Sequence, residues 1–186
     1  MKNAFYSLIL IFLMTTIGAA QEKPGLKQIG AQLGYVHVES PIGSNLGIGL
    51  NIDFGSLAPG AVLNGYLDFW AKEYEKAPDW NSRWTHLGMG IIGKYYFELK
   101  QTEIKPYAGG GIGIHLSFQR NEFSKTEEKI SYIKESTTDV DIGVTILGGA
   151  ELRISPKIKA FLETRYTIDG ADFWTISIGG WYNITK

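Results

Sequence analysis

Hydrophobic residues recur at every second position through most of this chain. The segment Leu46-Gly47-Ile48-Gly49-Leu50-Asn51-Ile52-Asp53-Phe54 shows the pattern most clearly. Its even positions are large and apolar, and its odd positions are glycine, amide or acid. Side chains of a strand point alternately to its two faces, so this segment predicts a strand with one greasy and one polar face. The same alternation predicts seven further strands, over residues 26–38, 61–72, 84–100, 105–119, 139–153, 157–168 and 173–185. The connections after the second, fourth and sixth strands are short (55–60, 101–103, 154–156), with Gly55, Pro59 and Gly60 supplying turn chemistry. Those after the first, third and fifth are longer, and the one after the seventh, 169–172, is short again. Short turns at one rim and longer loops at the other are the pattern of a membrane barrel, with both termini at the short-turn, periplasmic rim.

The start of the chain bears on where such a barrel lives. Lys2, an apolar run over 4–14 and the small residues Gly18-Ala19-Ala20 have the layout of a secretory signal peptide. Residues 1–20 are therefore expected to be removed, leaving 21–186 as a single barrel domain. Cysteine is absent from the 186 residues. Stability must then come from burial and backbone hydrogen bonds, and thiol catalysis and thiolate metal ligation are excluded. A net charge of −1 gives no strong attraction to nucleic acid.

Which way the greasy face points follows from the glycines. An eight-stranded barrel has room inside only for side chains or one small ligand. Turned inward, the apolar set would leave a glycine-rich face in water, which weakens strands for no return. Turned outward, it meets lipid, and glycine eases crowding in a narrow lumen. Asp53, Asp68, Lys94, Glu98, Glu151, Arg153, Lys159, Glu163 and Arg165 are then expected inside, paired with one another, together with His86 and Asp141. Aromatic residues on the outward face fall near both strand ends: Tyr35, Phe69, Phe118, Tyr166 and Trp174 at the long-loop rim, Phe54, Phe97 and Tyr182 at the short-turn rim. Two such girdles mark the two membrane interfaces. The fold class expected is all-β, an eight-stranded antiparallel transmembrane up-and-down β-barrel. The competing architecture is a soluble lipocalin-like carrier with its greasy face inward.

Three stretches carry a family resemblance. Pro106-Tyr107-Ala108-Gly109-Gly110-Gly111-Ile112-Gly113, the stretch Gly148-Gly149-Ala150-Glu151-Leu152-Arg153-Ile154-Ser155-Pro156, and Phe161-Leu162-Glu163-Thr164-Arg165-Tyr166 resemble successive strands of the small outer-membrane β-barrel proteins of the OmpA/OmpX-like and opacity-porin-like kind. The resemblance spans essentially the whole mature chain. It implies an outer-membrane barrel and says little about function, because such barrels host adhesins, structural proteins and enzymes. Members usually end on an aromatic residue that the assembly machinery reads; here the sequence ends Tyr182-Asn183-Ile184-Thr185-Lys186, so either that signal is altered or Tyr182 serves in its place.

Candidate chemistry is sparse. His86 and His115 face inward on neighbouring strands, with Ser117 and Asp141 close by, while His37 sits near a strand end. A Ser-His-Asp relay or a weak metal site is conceivable there, but a satisfied polar network is the expectation, with no metal and no cofactor. The pair His115 and Ser117 has a second reading, since outer-membrane lipid A deacylases are also eight-stranded barrels with a His-x-Ser pair. The resemblance is partial: Phe118 follows where Asn is usual, and the alternation puts the pair inside rather than toward lipid. The loop over 119–138, mixed in charge, is the main surface feature and the expected contact for an external protein or surface ligand. The function expected is therefore non-enzymatic: membrane support or surface binding through the long loops, with outer-membrane lipid as the surrounding partner. A lipid A deacylase is the first alternative and a soluble carrier the second.

Overall fold

The computed structural model describes residues 25–39, 42–77, 80–99, 102–123 and 134–184. The expected signal segment 1–20 lies outside them. The elements are eight strands: β1 (Gln28–Val38), β2 (Gly43–Ala58), β3 (Ala61–Ala77), β4 (Trp80–Tyr96), β5 (Ile104–Phe123), β6 (Lys134–Arg153), β7 (Ile158–Ile168) and β8 (Phe173–Asn183). They pair antiparallel in chain order, and β8 closes on β1 through eleven residue pairs from Gln28↔Asn183 to Val38↔Phe173. Closure leaves no sheet edge inside the bilayer, where an unpaired backbone group has no partner. No helix among the described residues is long and apolar enough to cross a membrane, and a barrel crosses with strands.

The outer face is apolar. Leu46, Ile48 and Leu50 expose 66%, 61% and 57% of their surface, and the neighbouring odd positions point inward. Ile112, Ile114, Val140, Ile142, Ile176 and Ile178 extend the same belt around the barrel. The soluble-carrier alternative, which needs this set inside, is therefore overturned.

Inside, large side chains sit opposite glycines. Tyr66 pairs across the ladder with Gly90, Tyr107 with Gly149, Phe161 with Gly179 and Trp181 with Gly30. A Cβ at Gly149 would stand 2.6 Å from the Tyr107 hydroxyl and 2.5 Å from the Leu162 carbonyl oxygen. The inward glycines therefore mark where a neighbour's ring fills the narrow lumen, a use of glycine that depends on close approach rather than on backbone freedom. Gly60, at φ 76°, is different: it turns the chain between β2 and β3.

The rims depart from the sequence expectation in an instructive way. The stretch 73–83, read as a loop, continues the β3–β4 ladder out to Ala77↔Trp80. The ladder of β5 with β6 likewise runs on to Glu122↔Lys134, so 119–123 and 134–138 are strand, and 124–133 lie outside the described residues. Hydrogen-bonded pairing needs no apolar face, and a strand that is polar on both faces carries no alternation. At the other rim β4 stops at Tyr96, four residues short of the expected end.

As a result the strands are unequal. β1, β7 and β8 have 11 residues each, whereas β5 and β6 have 20. At about 3.3 Å per residue this is roughly 30 Å of extra strand. β3 to β6 rise beyond the last outward apolar residues, Phe69, Leu87, Phe118 and Val140, as a polar four-stranded sheet. Pairing of β2 with β3 ends at Gly47↔Trp70, and pairing of β6 with β7 at Val144↔Ile168. Above those points β3 to β6 pair only with one another, while Tyr74 and Trp84 pack against the apolar cluster of Val36, Val38, Ile42, Trp70 and Phe173.

Candidate functional site

The lumen is filled by side chains, and its polar groups fall into two clusters. The one toward the short-turn rim centres on Glu163, on β7. Its Oε2 accepts from Lys94 Nζ at 2.6 Å and from the Tyr107 hydroxyl at 2.9 Å. Its Oε1 accepts from Arg165 Nη2 at 2.8 Å and Nε at 3.3 Å. Arg165 Nη1 donates to Asp68 Oδ2 at 2.5 Å, and Asp68 Oδ1 accepts from Gln32 at 3.0 Å. The Arg165 guanidinium also lies 4.9 Å from the centre of the Tyr66 ring. Two acids and two bases thus neutralise one another, with hydrogen bonds on both oxygens of each acid. At the mouth below, Glu151 accepts from the Tyr96 hydroxyl at 2.6 Å and from Lys159 at 3.2 Å.

The cluster toward the hairpin rim is built from His86 on β4, His115 and Ser117 on β5, and Asp169 in the β7–β8 turn. His115 Nδ1 is hydrogen-bonded to Asp169 Oδ2, and its Nε2 lies 3.2 Å from the Tyr66 hydroxyl. Donors and acceptors fit if Nδ1–H donates to the carboxylate and the phenol donates to Nε2. Ser117 Oγ lies 3.5 Å from Nδ1 of His86, not within reach of His115. His86 stacks on Trp70 at 4.8 Å and 10° and meets Phe173 edge-on. Its Nε2 has no hydrogen-bond partner. His86 and His115 expose only 1% and 2% of their surface.

Several expected sites fall elsewhere. Glu98 and Arg153 lie at the short-turn rim and are exposed, Glu98 beyond the end of β4 and Arg153 as the last residue of β6. Glu98 lines the same open mouth as Asp53, Glu151 and Lys159, and Arg153 stands beside Glu151 and Lys159 at that rim. Asp53 caps its own turn, accepting from Gly55 N at 2.7 Å. Asp141 pairs with His115 across the ladder backbone, yet the acid bonded to the imidazole is Asp169. The aromatic residues Tyr35, Phe69, Phe97, Phe118 and Tyr182 are exposed on the outer face, with Phe54, Tyr166 and Trp174 half-buried there. Tyr95 joins the short-turn set, edge-on to Phe97 at 5.4 Å. His37 bonds Ser44 at 2.8 Å, apart from either cluster.

Asp169 was missed because it sits in a turn, where period-two reasoning assigns no face. A sequence signal was available: Asp169-Gly170-Ala171-Asp172 follows directly on an inward-facing Arg165 and Thr167. The turn is tied by Asp169 Oδ1 accepting from Ala171 N at 2.8 Å and Asp172 Oδ1 accepting from Asp169 N at 3.1 Å. That leaves Asp169 Oδ2 directed into the barrel.

This arrangement does not suit acyl transfer to or from lipid. His115 and Ser117 are inside, they are not bonded to each other, and the outer face beside them is aliphatic. The lipid-facing His-x-Ser reading is corrected on that ground. One cavity among the lumen side chains, bounded by Gln32, Asp68, Trp70, Arg165 and Phe173, measures about 20 Å³, room for a single water.

A family model described as "Outer membrane protein beta-barrel domain" matches residues 6–183. No curated protein matches the chain by sequence. Among solved structures, the chain is similar to the attachment invasion locus protein Ail of Yersinia pestis, at 12% identity and a TM-score of 0.55, over 87% of this chain and 99% of that one. Ail in complex with the heparin analogue sucrose octasulfate matches at 14% identity and 0.53, with the same coverage. A major outer membrane protein from Thermus thermophilus matches at 10% identity and 0.54, over 85% and 99%. At these identities the likeness is one of fold.

Proposed function

The chain belongs to the outer membrane protein beta-barrel family, and we propose that it serves as a non-enzymatic surface-binding protein whose contact region is the sheet raised by β3–β6. The observation that carries this reading is the polar, fully paired extension of four adjacent strands above the apolar belt. A barrel needed only as membrane support gains nothing from strands that run on about 16–26 Å beyond the apolar belt. Between the raised β3–β4 hairpin and β5 lies a cleft lined by Glu73, Tyr74, Glu75, Asn81, Ser82, Arg83 and Arg120. Its two signs of charge give no pull toward a polyanion such as the sulfated sugar in one Ail complex. A protein partner, met by polar contacts and Tyr74, fits this surface better.

The test is adhesion of cells displaying the barrel to immobilised matrix and serum proteins, compared with a variant in which 73–83 is replaced by an Asn-Gly turn. Retained heat-modifiable gel mobility with lost binding is expected. Equal binding by the two forms, both at the surface, would remove the raised sheet from the function. Unchanged lipid A mass spectra on expression are expected as well, and loss of an acyl chain that depends on His115 would restore an enzymatic reading.

A further inference from the structure

We propose that the upper lumen binds a divalent transition-metal ion between His86, His115 and Asp169. Ligating atoms of the three side chains lie within 4.8 Å of one another. Two imidazoles and a carboxylate are a donor set for Zn²⁺, Co²⁺ or Ni²⁺, in contrast to the all-oxygen sets of Mg²⁺ and Ca²⁺. These elements come together only in the folded barrel, since β4, β5 and the β7–β8 turn each supply one group.

Three further observations point to a cation. The first is the unpartnered nitrogen. A neutral imidazole has one N–H and one lone pair. With the N–H of His86 at Nδ1, toward Ser117, the lone pair at Nε2 meets no donor in a site 1% exposed. The second is space. Gly88 lies under both rings, and a Cβ there would stand 3.3 Å from His86 Nε2 and 3.5 Å from His115 Nε2. A side chain at this position would press on both nitrogens. The third is charge. Among the described residues no lysine or arginine pairs with Asp169, whose side chain is 3% exposed and whose partner is His115. Lys94 and Arg165 are committed to Glu163 and Asp68. The Asp141 carboxylate stands beside Gly170 in the same turn and adds a second negative charge.

The experiment uses the full-length mature barrel folded in detergent, stripped with EDTA and titrated with ZnCl₂ by calorimetry and with CoCl₂ by visible absorption. One ion per barrel and a cobalt spectrum of a nitrogen-and-oxygen site are expected. His86→Gln and Asp169→Asn should each weaken binding by about tenfold or more. Gly88→Ala keeps every ligand but presses on both nitrogens, and it should weaken binding as well. His37→Gln, remote from the site, should leave it unchanged. Absence of stoichiometric Zn²⁺ on the folded wild-type barrel overturns the proposal whatever the variants do. So does binding that folded His86→Gln or Gly88→Ala retains in full.

Discussion

The two polar clusters of the lumen are both built from buried, inward-facing polar side chains and yet differ in how completely they are satisfied. Around Glu163 every charge has an opposite charge, and both carboxylate oxygens of Glu163 and of Asp68 accept at least one bond. Around His115 an acid lacks a lysine or arginine, a buried nitrogen lacks a donor, and a glycine lies under both imidazole rings. A low-dielectric interior rewards the first arrangement and penalises the second. The lower cluster thus has the character of a staple across strands, and the upper one that of a site whose last partner is not a side chain of the barrel.

The largest effect should come from breaking the lower cluster at its hub. Glu163→Ala leaves Lys94 and Arg165 buried without their shared carboxylate, at a cost of about 3–5 kcal/mol. Urea unfolding in detergent, followed by tryptophan fluorescence and heat-modified gel mobility, measures it. A loss under about 1 kcal/mol would mean that water replaces the carboxylate and that the cluster is no staple. Arg165→Ala should fall in the same range, because it strips Glu163 and Asp68 together.

Next comes the contrast between glycines. Gly149→Ala drives a methyl group against the Leu162 carbonyl and the Tyr107 ring, and backbone cannot yield cheaply, so about 1–3 kcal/mol should be lost. Gly88→Ala meets only the two imidazoles, the nearest atom at 3.2 Å, and these can turn away. Its cost in metal-free buffer should stay below about 1 kcal/mol. Equal losses at the two positions would mean that the upper lumen is packed as tightly as the lower, and the distinction between the clusters would fall.

How much of this was legible in the sequence divides along the same line. The strand count, the closed antiparallel order and the outward phase were readable because the outward positions of Leu46–Phe54 and its counterparts are mostly large and apolar. The lower cluster was readable because Lys94, Glu163 and Arg165 lie at inward positions of regular strands. Asp169 was not, since a turn residue carries no period. Nor were the lengths of β3 to β6, because at 73–83 and 119–123 both faces are polar and alternation has nothing to alternate. The misplacement of Glu98 and Arg153 has a related cause. Periodicity gives a side chain's face but not its height, and both residues sit past the level where the wall of the barrel encloses them.

A smaller effect separates the clusters from the upper side. His86→Phe keeps a flat ring to stack on Trp70 and removes the nitrogen that meets no donor. It also gives up a bond to Ser117 that is already stretched to 3.5 Å. In metal-free buffer the two changes nearly cancel, and unfolding should shift by less than about 1 kcal/mol in either direction. A destabilisation of the size expected for Glu163→Ala would show that His86 is fully partnered in solution.

The smallest effect belongs outside the lumen. Arg83 and Glu73 face each other across the raised β3–β4 hairpin at 3.5 Å, with side chains 59% and 74% exposed. Water and salt screen such a pair, and holding two long side chains in one geometry costs entropy, so Glu73→Ala should change stability by no more than about 0.5 kcal/mol. The chemistry is the same as in Arg165 with Glu163, an arginine beside a glutamate on a strand. Only the surroundings differ, and the ratio of the two measured losses reads out what burial in the barrel adds to an ion pair. If the Glu73 variant loses adhesion while keeping this stability, the pair is held at the hairpin for contact rather than for the fold.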